Sequence, residues 1–182
     1  MFDSDLSALD AEGTLRHVSV LRAVAEQADR ALLMSAAHWS DLHGVVDAAP
    51  TALPGTERLV RLGGDGTPEV AEFAAAELGV ELALSPYAAS LLMADALDLR
   101  HRLPVLWGRI CAGEVKPWIG RKVAQATRQL SAAAVEPVDV TVSRWADRLT
   151  WTRLSGVLDA AVVAADPAAA DATADGAREE CG

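Results

Sequence analysis

The chain has 182 residues, enough for one domain with appendages, and 51% of them are hydrophobic while only 4% are aromatic. Its 16 Lys and Arg face 26 Asp and Glu, for a net charge of −10. Two cysteines exclude a disulfide framework or a CxxC metal knuckle, and no apolar run reaches the roughly 18 to 20 residues of a membrane span. The N-terminal segment MFDSDLSALDAEG is acidic and lacks the apolar stretch of a secretory signal, so a cytoplasmic protein is expected.

Leu15, Val18, Leu21, Ala25, Ala28, Leu32, Ala36, Trp39 and Leu42 recur at steps of three or four and predict one long helix, with Thr14 as its cap and Gly44 near its end. Residues 48–67, AAPTALPGTERLVRLGGDGT, carry two prolines and four glycines and read as a linker. Thr67, Pro68 and Glu69 then form a local helix start, followed by Val70, Phe73, Ala74 and Leu78 on one face and closed near Gly79. Ser85-Pro86 opens the next helix, which stops before Pro104. Val105 to Ala112 gives a short one closed by Gly113. Pro117 opens another, with Ile119, Val123, Ala126 and Leu130 as its apolar face. Ser131 precedes a further helix whose true first turn is expected at Pro137, with Val138, Val142, Trp145 and Leu149 inward. Thr150 caps a last helix (Leu154, Leu158, Ala161, Val162) that ends at Asp166-Pro167.

With no alternation of period two, the fold class is all-α. Six or seven helices are expected: a long N-terminal helix within 1–47, the linker 48–67, a compact helical bundle over 68–166, and a disordered Ala/Asp-rich tail over 167–182.

The charge is placed unevenly. Residues 1–98 carry a net −11, residues 99–130 a net +6 and residues 131–182 a net −5. The central stretch LRHRLPVLWGRICAGEVKPWIGRKVAQATRQL holds Arg100, Arg102, Arg109, Lys116, Arg121, Lys122 and Arg128 against the single acid Glu114. A cationic helix face with interspersed Gln125 and Gln129 suits phosphate contact, and Trp107 and Trp118 suit stacking on a base or lining a groove. The competing reading is a face whose arginines pair with acids of the N-terminal helix. Asp95 and Asp98 fall at positions expected to be exposed, where they repel phosphate, so their helix reads as scaffold.

Other motifs carry less. GGDGTPE lacks the lysine of a phosphate loop, and Asp65 and Glu69 oppose an anion. His38 and His43 are five apart and diverge by about 140° around a helix, unlike a zinc pair at i and i+4. Cys111 reads as a small core residue. No nucleophile motif frames a catalytic serine.

The segments AAHWSDLHG, ERLVRLGGDGTPEVAEFAAAELG, LSPYAASLLMADALDLRHRLPVLWGRICAGEVKPWIGRKVAQATRQLS, VDVTVSRWADRLTWTRL and ADP, in that order over about residues 15–167, resemble one family. It is the helical domain of unknown function (number two-twenty-two in that series) of high-GC Gram-positive bacteria, often placed before an HNH endonuclease module and linked to mobile elements. The resemblance implies a DNA-handling module that positions a nuclease. Its ββα module, with His, Asn and His around a divalent metal, has no counterpart in these residues, so no catalytic residue carries over and any metal belongs to that module. The chain thus reads as the N-terminal part of such a protein, or a remnant of one. Two functions follow: DNA binding through the seven cations, or protein interaction, including a homodimer through the N-terminal helix. Catalysis by this chain itself is left undecided by the resemblance.

Overall fold

The computed structural model describes residues 6–45 and 57–167. The expected all-α architecture is observed, with seven α-helices among these residues: α1 Ala11–Leu42, α2 Ala74–Glu81, α3 Pro86–Arg102, α4 Pro104–Cys111, α5 Pro117–Thr127, α6 Ala132–Ser143 and α7 Trp151–Ala165. A two-residue antiparallel ladder, β1 Leu59–Val60 with β2 Val70–Ala71, precedes α2. The tail beyond Pro167 and residues 48–56 of the expected linker lie outside the described residues.

Local capping explains most boundaries. Ser85 accepts from the Ala88 amide and Pro86 takes the first turn of α3, as the dipeptide predicts. Pro104 ends that helix and begins α4, which Gly113 closes with a left-handed φ of 79°. Ser131 caps α6, so α6 begins at Ala132 and Pro137 lies inside it rather than in its first turn. α1 is capped by Asp10, whose carboxylate accepts from the Gly13 amide; Thr14 instead donates its hydroxyl to the Asp10 carbonyl.

The region after the linker departs from expectation. Val70 and Ala71 form β2 and are buried, and α2 starts only at Ala74. The Thr67 hydroxyl donates back to Gly64 O at 2.8 Å, closing a turn instead of capping a helix. Gly79 lies within α2, where a Cβ would stand 3.0 Å from Leu84 O and 3.4 Å from the Ala89 Cβ; the glycine lets α2 and α3 cross closely at a bend of 106°.

α3 is the central helix. Leu92 through Leu99 are buried without interruption, including Asp95 and Asp98, so no face of this stretch meets solvent. Packed around it are α1, α2, α4, α5 and α6, with α7 resting on α5 and α6. Leu33, Ala36 and Ala37 are the buried apolar residues of α1, all in its C-terminal half; Leu15, Val18, Leu21 and Val24 in its N-terminal half are exposed. The first half of α1 therefore projects beyond the bundle. Among the described residues no single helix is long and apolar enough to cross a membrane.

Candidate functional site: a buried charge network and a projecting helix

Burying the α3 carboxylates requires compensation, because an unpaired charge in the interior costs several kcal/mol. The sequence supplies it from α5. Arg121, Gln125 and Arg128 recur at steps of four and three and face the α3 carboxylates. Asp95 accepts from Arg121 Nε at 2.8 Å, Gln125 Nε2 at 2.8 Å and Arg128 Nη2 at 2.6 Å. Asp98 accepts from Arg128 Nε at 2.7 Å, Arg102 Nη1 at 3.1 Å and the Gly64 amide at 2.7 Å. Burial works against the Arg128 charge, but the Asp98 and Asp95 carboxylates hold its pKa above the ordinary guanidinium value.

Arg102 is the most enclosed cation, its side chain 1% exposed. One turn along α3 from Asp98, it also donates to the carbonyls of Thr127, Arg128 and Leu130 at the end of α5. Its Nε–H alone lacks an acceptor. The guanidinium thereby satisfies the orphan carbonyls of a helix C-terminus, where positive charge is favoured. Gly64 fits into this cluster because a Cβ there would overlap the Arg102 guanidinium and the Arg128 carbonyl. The glycine-rich segment is thus a structural loop: its amide holds Asp98, and Asp65 accepts from the Ala132 amide at the start of α6.

The remaining cations of the basic stretch are also paired, apart from one. Arg100 forks onto the Asp41 carboxylate of α1 and holds its pKa below the usual carboxylate range. Arg109 bonds Glu114 at 2.8 Å and Asp147 at 2.9 Å, and also donates to the Ser143 carbonyl. Lys116 stands 3.3 Å from Glu26 of α1. Lys122 is exposed and, alone of the seven, has no carboxylate within ion-pair distance among the described residues. Sequence reasoning thus missed Asp95 and Asp98, which neutralise three of the seven cations. The available signal was two acids and Arg102 spaced i, i+3, i+7 inside an apolar run, with Arg121, Gln125 and Arg128 at a complementary i, i+4, i+7.

Other singled-out residues are structural. Trp107 is half-buried against the core, while Trp118 is 44% exposed and meets Trp151 edge-on at 5.6 Å. His43 packs on Trp39, its Nδ1 2.9 Å from the Trp39 carbonyl. Cys111 is partly buried, and that burial raises its thiol pKa. Asp139 is 2% exposed and accepts from the Val105 and Leu106 amides, capping α4 from across the bundle; burial raises its pKa in spite of those donors. Among the described residues no three His, Cys, Asp or Glu side chains converge as a group that could hold a metal ion.

What stays open is one exposed side of α1, running from its projecting half onto the bundle. Val18, Leu21, Ala25, Ala28 and Leu32 lie in one exposed line, and beside Leu32 a shallow apolar cleft of about 300 Å³ is walled by Leu84, Leu92 and Trp118, with Asp29 and Arg121 at its edge. No family model, characterised protein or solved structure matches the chain.

Proposed function

We propose that this chain is a non-catalytic helical module that positions a nuclease, as its resemblance implies, and that it does so by protein contact through the projecting half of α1. The observation that supports this reading is a contrast between two surfaces. Six of the seven cations that suggested phosphate contact pair with carboxylates of the same chain, whereas the apolar line of α1 is exposed and has no covering partner among the described residues. A guanidinium held by two buried carboxylates must lose those bonds to reach a phosphate, and breaking a buried pair is strongly unfavourable. An exposed apolar line gains free energy on any apolar contact, about 25 cal/mol per Å² removed from water.

Two tests bear on it. Plasmid DNA incubated with the purified chain and Mg²⁺ or Mn²⁺ is expected to remain supercoiled, with or without chelator. Chelator-sensitive nicking places catalysis in this chain and overturns the reading. The coding sequence 3′ of codon 182 tests the nuclease association: an open frame encoding an HNH metal site supports it, and its absence removes the nuclease from the reading.

A further inference from the structure

The exposed line of α1 has a symmetry of its own. Val18, Leu21, Ala25, Ala28 and Leu32 are spaced 3, 4, 3, 4, so the line reads nearly the same in either direction about Ala25. At about 100° per residue these five side chains fall within a strip roughly 80° wide. On the edge of that strip facing the bundle lie Arg22 and Asp29, seven residues apart and of opposite charge. Asp29 is exposed with no ion pair among the described residues, and Arg22 has only a long 3.7 Å approach to Glu26.

We infer that the partner on this face is a second copy of the chain, bound antiparallel about Ala25. The inference rests on the functional reading above and names its partner. In that register Val18 meets the partner's Leu32, and Leu21 lies against the partner's Ala28. The small Ala25 meets the partner's Ala25 at the two-fold axis and lets the backbones approach. Arg22 stands beside the partner's Asp29, and Asp29 beside the partner's Arg22. A parallel pair carries Arg22 and Asp29 to the edge opposite the partner's Arg22 and Asp29, so neither meets its opposite charge. Charge complementarity therefore selects the antiparallel arrangement.

The same register explains the cleft. The apolar line covers about 21 Å of helix, which is short for a stable interface. Leu15, 69% exposed, lies about 100° from the strip centre on the bundle-facing side. Antiparallel helices bring equivalent edges together, so each copy's Leu15 reaches toward the cleft beside the other copy's Leu32. There Leu84 is 41% and Trp118 44% exposed. Each copy thus supplies the apolar side chain that the other's cleft lacks, extending the interface from helix to bundle.

Sedimentation velocity of the full chain over a concentration series tests the arrangement. The parent is expected to dimerise with rising concentration. Ala25→Glu, at an exposed helical position, sets two carboxylates against each other on the axis and is expected to weaken the dimer on the order of a hundredfold. Arg22→Asp and Leu15→Asp are each expected to weaken it about tenfold. Asp29→Arg added to Arg22→Asp restores complementarity and is expected to return the affinity to within about threefold of the parent. Far-UV circular dichroism and an unchanged urea midpoint of the dilute monomer confirm that each variant folds. A parent that stays monomeric, a dimer indifferent to Ala25→Glu, or an Arg22→Asp defect that Asp29→Arg fails to rescue overturns the inference. A monomeric parent that also ignores DNA leaves protein contact through α1 standing with another partner, whereas salt-steep DNA binding sinks the functional reading whatever the oligomeric state.

Discussion

Replacing Asp98 by alanine removes the acceptor of three donors at once: the Gly64 amide, Arg102 Nη1 and Arg128 Nε. Asp98 is fully buried and the Arg102 side chain is 1% exposed, so water cannot replace the lost partner without opening the bundle. Breaking such a buried pair costs about 3–5 kcal/mol, a large share of the ~5–15 kcal/mol that holds a typical domain. For a chain of this size the melting temperature is expected to fall on the order of 10 °C. Urea unfolding followed by far-UV circular dichroism measures the change, and an unchanged slope shows that the midpoint reports stability. Glu72→Ala provides the comparison: it breaks the exposed Arg58–Glu72 pair and is expected to cost less than about 1 kcal/mol. If Asp98→Ala costs no more than Glu72→Ala, the network does not hold the fold together as described.

Gly64→Ala is expected to destabilise by more than the usual glycine exchange, because its Cβ overlaps the Arg102 guanidinium and the Arg128 carbonyl; a midpoint equal to the parent's would contradict the packing. Asp139→Asn tests a pH dependence. Because burial raises the Asp139 pKa above its unfolded value, its contribution is fully present below the ordinary carboxylate range and is lost as pH rises through the raised value. The parent should therefore lose stability over that window while Asp139→Asn loses less, as read from urea midpoints in a pH series. Asp41→Ala removes the Arg100 pair that ties α1 to α3. With Asp41 half exposed the cost is expected to stay near 1 kcal/mol, and faster amide exchange in the last turns of α1 is the readout.

Most helices were legible because their ends carry local signals: Ser85-Pro86, Pro104, Gly113, Pro117 and Ser131 act within one turn of where they stand. The segment from Thr67 to Phe73 misled for the same reason. Its cap signals are sound locally, yet Val70 and Ala71 pair with Leu59 and Val60, and a ladder of two residues is too short to show alternation. The candidate site was hidden by distance along the chain. Asp95 and Asp98 read as surface acids because charged residues are seldom buried alone, and their partners Arg121 and Arg128 stand on another helix. Likewise the apolar face of α5 turned by one position: Ala124 and Thr127 are buried while Ala126 is exposed, because Arg128 must point inward. The stripe of α1 was legible throughout, but only the fold shows that half of it is left uncovered.

We propose that six of the seven cations of residues 99–130 hold the bundle together through their ion pairs and leave recognition to α1. Fluorescence anisotropy of labelled duplex DNA, with the parent chain and with an Arg121→Ala/Lys122→Ala/Arg128→Ala variant over a salt series, tests it most directly. The account predicts no binding at physiological salt for either protein. Parent binding on the order of 10⁻⁴ to 10⁻⁶ M that falls steeply with salt and weakens in a folded triple variant would contradict it.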